Sequence, residues 1–121
     1  MTIKSYQDLI VWQKSLDLVD MIYNATKSFP SKEMYGLTNQ VRRAGVSIPS
    51  NIAEGHARQS TLEFKRFLSI AKGSLAEVET QLIIANRRNY LPSDKLNEMM
   101  SLSNEVSRML VSLMSKLGAR D

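Results

Sequence analysis

The stretch Q-V-R-R-A-G-V-S-I-P-S-N-I-A-E-G, residues 40–55, combines a helical pattern with a proline inside it. Its apolar residues recur every three or four positions, as they do along one face of an α-helix. Proline lacks the backbone N–H, and its ring collides with the carbonyl group four residues back, which for Pro49 belongs to Gly45. Because glycine has no side chain to obstruct a bend, the stretch predicts one helix kinked at Pro49.

The small and polar residues of this stretch indicate how the helix packs. Its heptad seam runs through Val41, Ala44, Ile48, Asn51 and Gly55. An asparagine on a seam fixes the register of the helices at some cost in stability, and a glycine lets a neighbouring helix come close. Ser47, Ser50 and Asn51 lie within reach of the carbonyl groups that the kink frees. We therefore assign the kink and the register to Gly45, Pro49, Asn51 and Gly55.

Further helical patterns flank this stretch on both sides. The four predicted helices run from Ser5 or Asp8 to about Ser28, from a Ser31 cap to just after Gly55, from Ser60 to Tyr90, and from Ser93 to Gly118. The S-T-L-E sequence at 60–63 is a capping box, and Pro30 and Pro92 stop the helices before them. Because short connections join four long amphipathic helices, the sequence predicts an all-α, antiparallel up-down-up-down four-helix bundle in a single domain, residues 1–121.

The apolar residues of each helix predict which face is buried. In the first helix the seam runs through Leu9, Trp12, Leu16, Val19 and Tyr23. In the third helix it runs through Phe64, Leu68, Ala71, Leu75, Val78, Leu82 and Ala85. In the fourth it runs through Leu96, Met99, Ser103, Val106, Leu110, Leu113 and Leu117. Other apolar residues lie off these seams, and exposed apolar patches usually mark an interface. We therefore expect a self-association surface at Val11, Leu18, Ile70 and Ile84.

The composition is that of a soluble globular chain. It has 121 residues, 43% of them hydrophobic, which is enough for one sizeable core. There is no cysteine, so neither a disulfide framework nor a thiolate metal site is expected. No run of 18 apolar residues occurs, and the first residues, M-T-I-K-S-Y, do not have the pattern of a signal peptide. We therefore expect a cytoplasmic protein that has no membrane partner.

Few residues could perform catalysis. The single histidine, His56, lies two positions after Glu54, so the two side chains point to different faces and do not form a Glu-x-x-His metal motif. No H-E-x-x-H sequence, phosphate loop or G-x-G-x-x-G motif is present. We therefore predict no catalytic residue, no cofactor and no metal, and a protein that is not an enzyme.

Basic residues give the chain a net charge of +4. Six cations around and after the kinked stretch are candidates for phosphate contacts: Arg42, Arg43, Arg58, Lys65, Arg66 and Lys72. The alternative interpretation is a solvated charged face held by ion pairs. Because no recognition-helix signature is present, any RNA binding would go through the phosphate backbone and have weak sequence specificity. Arg87 and Arg88 suit the negative end of a helix dipole.

Three segments carry a resemblance to a known family. R-R-A-G-V-S-I-P-S-N-I-A-E-G at 42–55, D-L-I-V-W-Q-K at 8–14 and R-F-L-S-I-A-K-G-S-L-A-E-V-E-T-Q-L at 66–82 resemble the 23S rRNA intervening-sequence protein family. The likeness extends over residues 6–91. It implies a four-helix bundle that assembles into ring-shaped homopentamers. Helical accessory proteins of diversity-generating retroelements, which work with a reverse transcriptase and its RNA, look similar.

Two hypotheses for function follow. The first is an oligomeric, non-enzymatic scaffold that binds structured RNA through its basic surface. The second is an adaptor that binds a protein partner and no nucleic acid, with the methionines of the fourth helix as an adaptable surface. Removal of the basic charges separates the two, because only the first depends on phosphate contacts.

Overall fold

The computed structural model describes residues 5–118, and the described residues form four α-helices without any strand. These are α1 (Ile10–Thr26), α2 (Leu37–Ala57), α3 (Thr61–Arg87) and α4 (Ser93–Gly118). Two short 3-10 helices, Tyr6–Asp8 and Ser31–Glu33, precede α1 and α2. The predicted all-α class and the four helices are therefore confirmed. None of the helices in the described part is long and apolar enough to cross a membrane.

The start of α2 differs from the prediction. Ser31 begins a 3-10 turn rather than the helix, which starts six residues later at Leu37. The Glu33 carboxylate takes the capping role, because its Oε1 accepts the Leu37 N–H at 3.2 Å. A carboxylate is a good partner for a free N–H group at the positive end of a helix. At α3 half of the predicted capping box is present, since the Glu63 N–H donates to Ser60 Oγ at 3.3 Å, whereas the Glu63 carboxylate accepts from Arg66.

The central stretch forms one continuous helix through Pro49, as predicted. Asn51 is half-buried, and its Nδ2 donates to the Ser47 carbonyl at 2.8 Å and to Ser47 Oγ at 2.9 Å. Ser47 Oγ in turn lies 2.8 Å from Ser74 Oγ on α3. Asn51 was predicted to be buried and hydrogen-bonded: the hydrogen bonding is confirmed, the burial is only partial, and the bonds extend into a polar link between α2 and α3.

The two buried glycines of α2 allow close helix approach. A Cβ at Gly55 would lie 2.6 Å from Phe67 Cβ on α3, so no larger residue fits without a shift of the helices. A Cβ at Gly45 would lie 2.7 Å from Ile22 Cδ1 on α1. The sequence predicted the close approach at Gly55. Gly45, which the sequence assigned to the bend, has this packing role as well.

The helices in contact are α1 with α2, α2 with α3, α3 with α4, and α4 with α1. The core between them consists mainly of aliphatic side chains. In α3 and α4 the predicted seams are confirmed, since Leu68, Leu75, Leu82 and Leu110 are fully or almost fully buried, and only the seam residues near the helix ends are half-buried. Burial of such side chains is the main favourable contribution to folding.

The predicted face of α1 is wrong by one residue. The buried positions are Val11, Ser15, Leu18, Ile22 and Thr26, whereas Leu16 and Tyr23 of the predicted seam are 36% and 41% exposed. The reason is that Leu9 is buried but lies before the helix, with an extended backbone at φ −74° and ψ 123°. A heptad counted from Leu9 therefore has the wrong phase, and one residue turns the face by about 100°.

This shift overturns half of the predicted self-association surface. Val11 is 5% exposed and Leu18 is 0% exposed, because both point into the core of the single chain. They are therefore not available to a second copy, and their assignment to an interface was wrong. Ile70 and Ile84 on α3 are 41% and 42% exposed, as an interface on that helix would require.

Candidate nucleic-acid interface

Arg42, a predicted phosphate contact, instead ties α2 to α1. Its Nε donates to Thr26 Oγ1 at 2.8 Å, and its guanidinium lies 4.7 Å from the centre of the Tyr23 ring. Thr26 is buried and donates its own hydroxyl proton to the Ile22 carbonyl at 2.8 Å. Because its Nε–H bonds Thr26 and its guanidinium lies over the Tyr23 ring, Arg42 has a structural role at the α1–α2 interface.

Arg58 and Arg66 are paired with carboxylates around the turn from α2 to α3. Arg58 lies 2.8 Å from a Glu54 oxygen and 3.8 Å from Glu63, and Arg66 Nε lies 3.0 Å from Glu63. Both guanidinium groups also lie over the Phe67 ring, at 5.1 and 4.6 Å. The hydrogen bond between Arg66 and Glu63 lowers the pKa of the Glu63 carboxyl group and raises the pKa of the Arg66 guanidinium. Two cations and two carboxylates cancel, so this cluster attracts phosphate weakly.

The other three predicted cations have different surroundings. Lys65 extends toward α4, since its Nζ lies 3.3 Å from the position that a Cβ on Gly118 would occupy. Lys72 and Arg43 are exposed, on α3 and α2 respectively, and neither has an ion pair within 4 Å in the part of the chain that the structure describes. The structure therefore does not bring the six predicted residues into one patch.

A different group of cations meets at one end of the bundle. The connection between α1 and α2 contacts the connection between α3 and α4: Tyr90 Oη donates to Glu33 Oε2 at 2.9 Å, and the Phe29 and Tyr90 ring centres are 5.7 Å apart. Each connection contributes two exposed cations. We call these four residues the basic end: Lys27, Lys32, Arg87 and Arg88.

The charges of the basic end are only partly offset, because one carboxylate, Glu33, lies near its four cations. Within residues 5–118, none of its four cations forms an ion pair shorter than 4 Å. The nearby Glu33 is held by other groups: the Leu37 N–H and then the Tyr90 hydroxyl lower its pKa, with smaller contributions from the charges of Lys32 and Arg88. The carboxylate of Glu33 is thus committed to the helix cap. The basic side chains keep their hydrogen-bond donors free for an external anion.

Sequence reasoning missed the basic end. It assigned Arg87 and Arg88 to the helix dipole alone, and Arg87 does lie in the last turn of α3. That dipole contribution is small at an exposed helix end and leaves the guanidinium donors free. Lys27 and Lys32 are about 60 positions away in the sequence. The predicted up-down-up-down bundle could have indicated the basic end, because the first and third connections of such a bundle lie at the same end.

Among the described residues, the side chains considered for metal binding or acid–base chemistry do not form a common site. The described residues contain no group of three or more histidine, cysteine, aspartate or glutamate side chains that could hold a metal ion. His56 is half-buried near the end of α2, where its ring packs edge-on against Phe64 with centres 5.6 Å apart. This is a packing contact rather than an acid–base arrangement.

The architecture and its surface thus define an all-helical protein with four packed helices and a basic end. The family model described as 23S rRNA-intervening sequence protein matches residues 7–112, so the chain belongs to this family. A solved structure from Bacteroides thetaiotaomicron, a protein with unknown function from the S23 ribosomal protein family, is similar to it. The TM-score is 0.81 and the identity 28%, over 88% of this chain and 96% of the other. No curated protein matches the chain.

Proposed function

We propose that this protein is a non-enzymatic, oligomeric scaffold that binds structured RNA through the phosphates at its basic end. The observation that carries the proposal is a set of four exposed cations that form no ion pair among residues 5–118, namely Lys27, Lys32, Arg87 and Arg88. Lysine and arginine that neutralise phosphates release counterions, which drives binding without regard to sequence. The family description, which refers to intervening sequences of 23S rRNA, supports RNA as the polyanion. Such RNA lies in the cytoplasm, where we place the protein.

Of the six cations first predicted, two can extend this surface. Arg43 and Lys72 are exposed and have no ion pair with any residue that the structure describes, so each can add a phosphate contact if the RNA passes along α2 or α3. Lys65, near the last residue of α4, lies toward the other end of the bundle. Arg42, Arg58 and Arg66 serve the packing contacts described above. The RNA would therefore lie across the two connections at the basic end.

A homo-oligomer, by resemblance a pentamer, would repeat the basic end once in every subunit. Ile70 and Ile84 on α3 are the remaining members of the expected interface, and their exposed apolar surface supports this role. Each additional subunit in contact with the same RNA would add its own phosphate contacts. Light scattering that shows only monomers at tens of micromolar would reject the oligomer.

We also propose that successive helices of the bundle are antiparallel. Ile22 of α1 lies against Gly45 of α2. One turn later in α1, Thr26 accepts a hydrogen bond from Arg42, which comes before Gly45 in α2, so the two helices run in opposite directions. In α2 and α3 as well, a later residue of one helix meets an earlier residue of the next, as the pairs Gly55–Phe67 and Ser47–Ser74 show. The pairs Lys65–Gly118 and Glu79–Ser103 give the same antiparallel order for α3 and α4.

We also propose that α2 bends at Pro49, where the helix lacks one backbone hydrogen bond.

The test measures RNA affinity against salt for the wild type and two charge-matched variants. Arg87→Ala with Arg88→Ala should weaken binding to all structured RNAs alike and flatten the log–log salt slope by roughly 1.5, since each phosphate contributes about 0.7 to 0.9. Arg108→Ala with Lys116→Ala on α4 removes the same charge elsewhere and should change the slope little. Equal slopes in the two variants would reject the basic end as the contact surface.

The second candidate is a protein-binding adaptor. Its support is the exposed apolar side chains, above all Tyr35 at 94% and Leu62 at 76% exposed. If the wild type shows no binding to structured RNA at ~50 mM salt, where phosphate contacts are strong, the adaptor is favoured.

A further inference from the structure

A polar cleft between α2 and α3 is not used by the phosphate contacts. Its volume is about 540 Å³, within the range of small-ligand sites. Its lining is mostly polar and uncharged, with one cation and one carboxylate: Tyr35, Asn39, Gln40, Arg43, Ala44, Ser47, Ser74, Glu77 and Gln81. It is continuous with the basic end along the chain, because Tyr35 follows Lys32 closely and Gln81 lies under two turns before Arg87.

The inner wall of this cleft contains an acceptor without a donor. Gln81 Oε1 is buried and accepts no hydrogen bond from any residue that the structure describes. Buried polar atoms are nearly always hydrogen-bonded, so this oxygen lacks a donor that the described residues do not supply. Because the oxygen has no accessible surface, the Gln81 side chain must turn toward the cleft before an external N–H or O–H group can reach it. The Glu77 carboxylate, which lines the same cleft without an ion pair among residues 5–118, is a second acceptor.

The rim of the cleft offers an aromatic ring and a cation. The Tyr35 side chain is 94% exposed, so both faces of its ring are open for stacking. Arg43 is exposed and forms no ion pair in the described part of the chain, and its guanidinium can bind a phosphate in a bidentate manner. An aromatic surface, a phosphate-binding cation and acceptors at the back are the groups that proteins use to hold single unstacked bases of RNA.

We propose that the α2–α3 cleft binds one unstacked RNA base that has an exocyclic amino group. This rests on the proposed RNA binding at the basic end. Tyr35 stacks on the base, Arg43 binds its phosphate, and the amino group donates to Gln81 Oε1 and Glu77. Uracil has a carbonyl oxygen where cytosine has the amino group, so the cleft discriminates between these two bases. The protein therefore combines binding that ignores sequence with a base preference at one position.

The first experiment compares single-stranded RNA of eight cytidines with RNA of eight uridines. The wild type should bind the cytidine oligomer about fivefold or more tightly, since one base contact discriminates by about that much. Gln81→Met removes the acceptor without a change in charge. It should bring the two affinities together and leave the uridine affinity and its salt slope unchanged. Gln7→Met, at an exposed position before α1, is the matched control and should keep the preference.

Tyr35→Ala gives an independent variant, because a residue so exposed can be replaced without disturbing the core. It should weaken both oligomers through lost stacking while the preference for cytidine remains. If the wild type binds both oligomers equally and Gln81→Met changes neither affinity, the cleft is not a base site, although RNA binding itself stands.

The second experiment separates failure of the cleft from failure of the proposed function. Side-chain amide signals of Gln81 are recorded by NMR in the full-length protein with CMP or UMP added. A shift with CMP, and little with UMP, supports the cleft even if no RNA oligomer binds, in which case the RNA proposal fails alone. RNA binding without any CMP-dependent shift overturns the cleft alone, and the absence of both rejects both proposals.

Discussion

Basic side chains occur at both ends of the bundle, but their partners differ. At the turn between α2 and α3, Arg58 and Arg66 are held by Glu54 and Glu63 and lie over Phe67. At the basic end, the four cations have no such partners among the described residues. We call the first region the paired end. The difference indicates that a count of cations does not locate a phosphate site, because pairing removes most of the attraction.

The carboxylates of the two ends explain the contrast. Glu63 at the paired end bonds both nearby arginines. Glu33 at the basic end instead caps α2 and accepts the Tyr90 hydroxyl, so it has a structural partner of its own. Glu63 therefore occupies the donors of its neighbouring arginines, whereas Glu33 offsets part of the charge of Lys32 and Arg88 without an ion pair that occupies their donors.

The largest expected effect comes from Gly55, which lets α3 pack closely at the paired end. Gly55→Ala places a Cβ 2.6 Å from Phe67 Cβ and forces the helices apart, which should cost about 1–3 kcal/mol of unfolding free energy. The matched control is Gly73→Ala on α3, where a Cβ meets nothing within 4 Å. That variant should be more stable than the wild type by roughly 0.5–1 kcal/mol, since alanine favours helix over glycine. Chemical denaturation measures both, and equal destabilisation of the two variants would contradict this packing.

A second prediction converts the paired end into a basic one. Glu63→Gln removes the carboxylate that holds Arg66, so the donors of Arg66 become available to phosphate, whereas Arg58 keeps its 2.8 Å pair with Glu54. RNA affinity at low salt should rise, and the salt slope should steepen by roughly 0.7 to 0.9. Asp17→Asn, an exposed residue of α1, makes the same change in net charge without release of a cation. If both variants change the slope equally, net charge rather than pairing controls binding.

The smallest expected effect is a pH dependence at the basic end. The pKa of Glu33 is lowered in the folded protein, so its bonds to Leu37 and Tyr90 stabilise the fold above the ordinary carboxyl pKa. This stabilisation is lost as the pH falls through the lower, folded pKa, because protonation removes the charge. Tyr90→Phe should lower the denaturation midpoint slightly at pH 7 and less at pH 3. An effect that is equal at both pH values would show that the Tyr90 hydroxyl does not bond the Glu33 carboxylate.

The sequence alone determined the all-helical fold, the faces of α3 and α4, and the special residues of α2. These features are local: the spacing of Leu68, Leu75 and Leu82 repeats within one helix, and Asn51 bonds Ser47 one turn away. Periodicity reports such relations directly, since every residue involved belongs to the same element.

The tertiary structure decided which face of α1 is buried and which cations remain free. Two apolar stripes of α1, one through Val11 and Leu18 and one through Trp12 and Val19, have the same spacing, and packing against α2 and α4 selects the first. The basic end exists because the Tyr90–Glu33 bond joins segments that are far apart in the sequence. Pairing of charges depends on distances between helices, and a sequence pattern contains only distances along one helix.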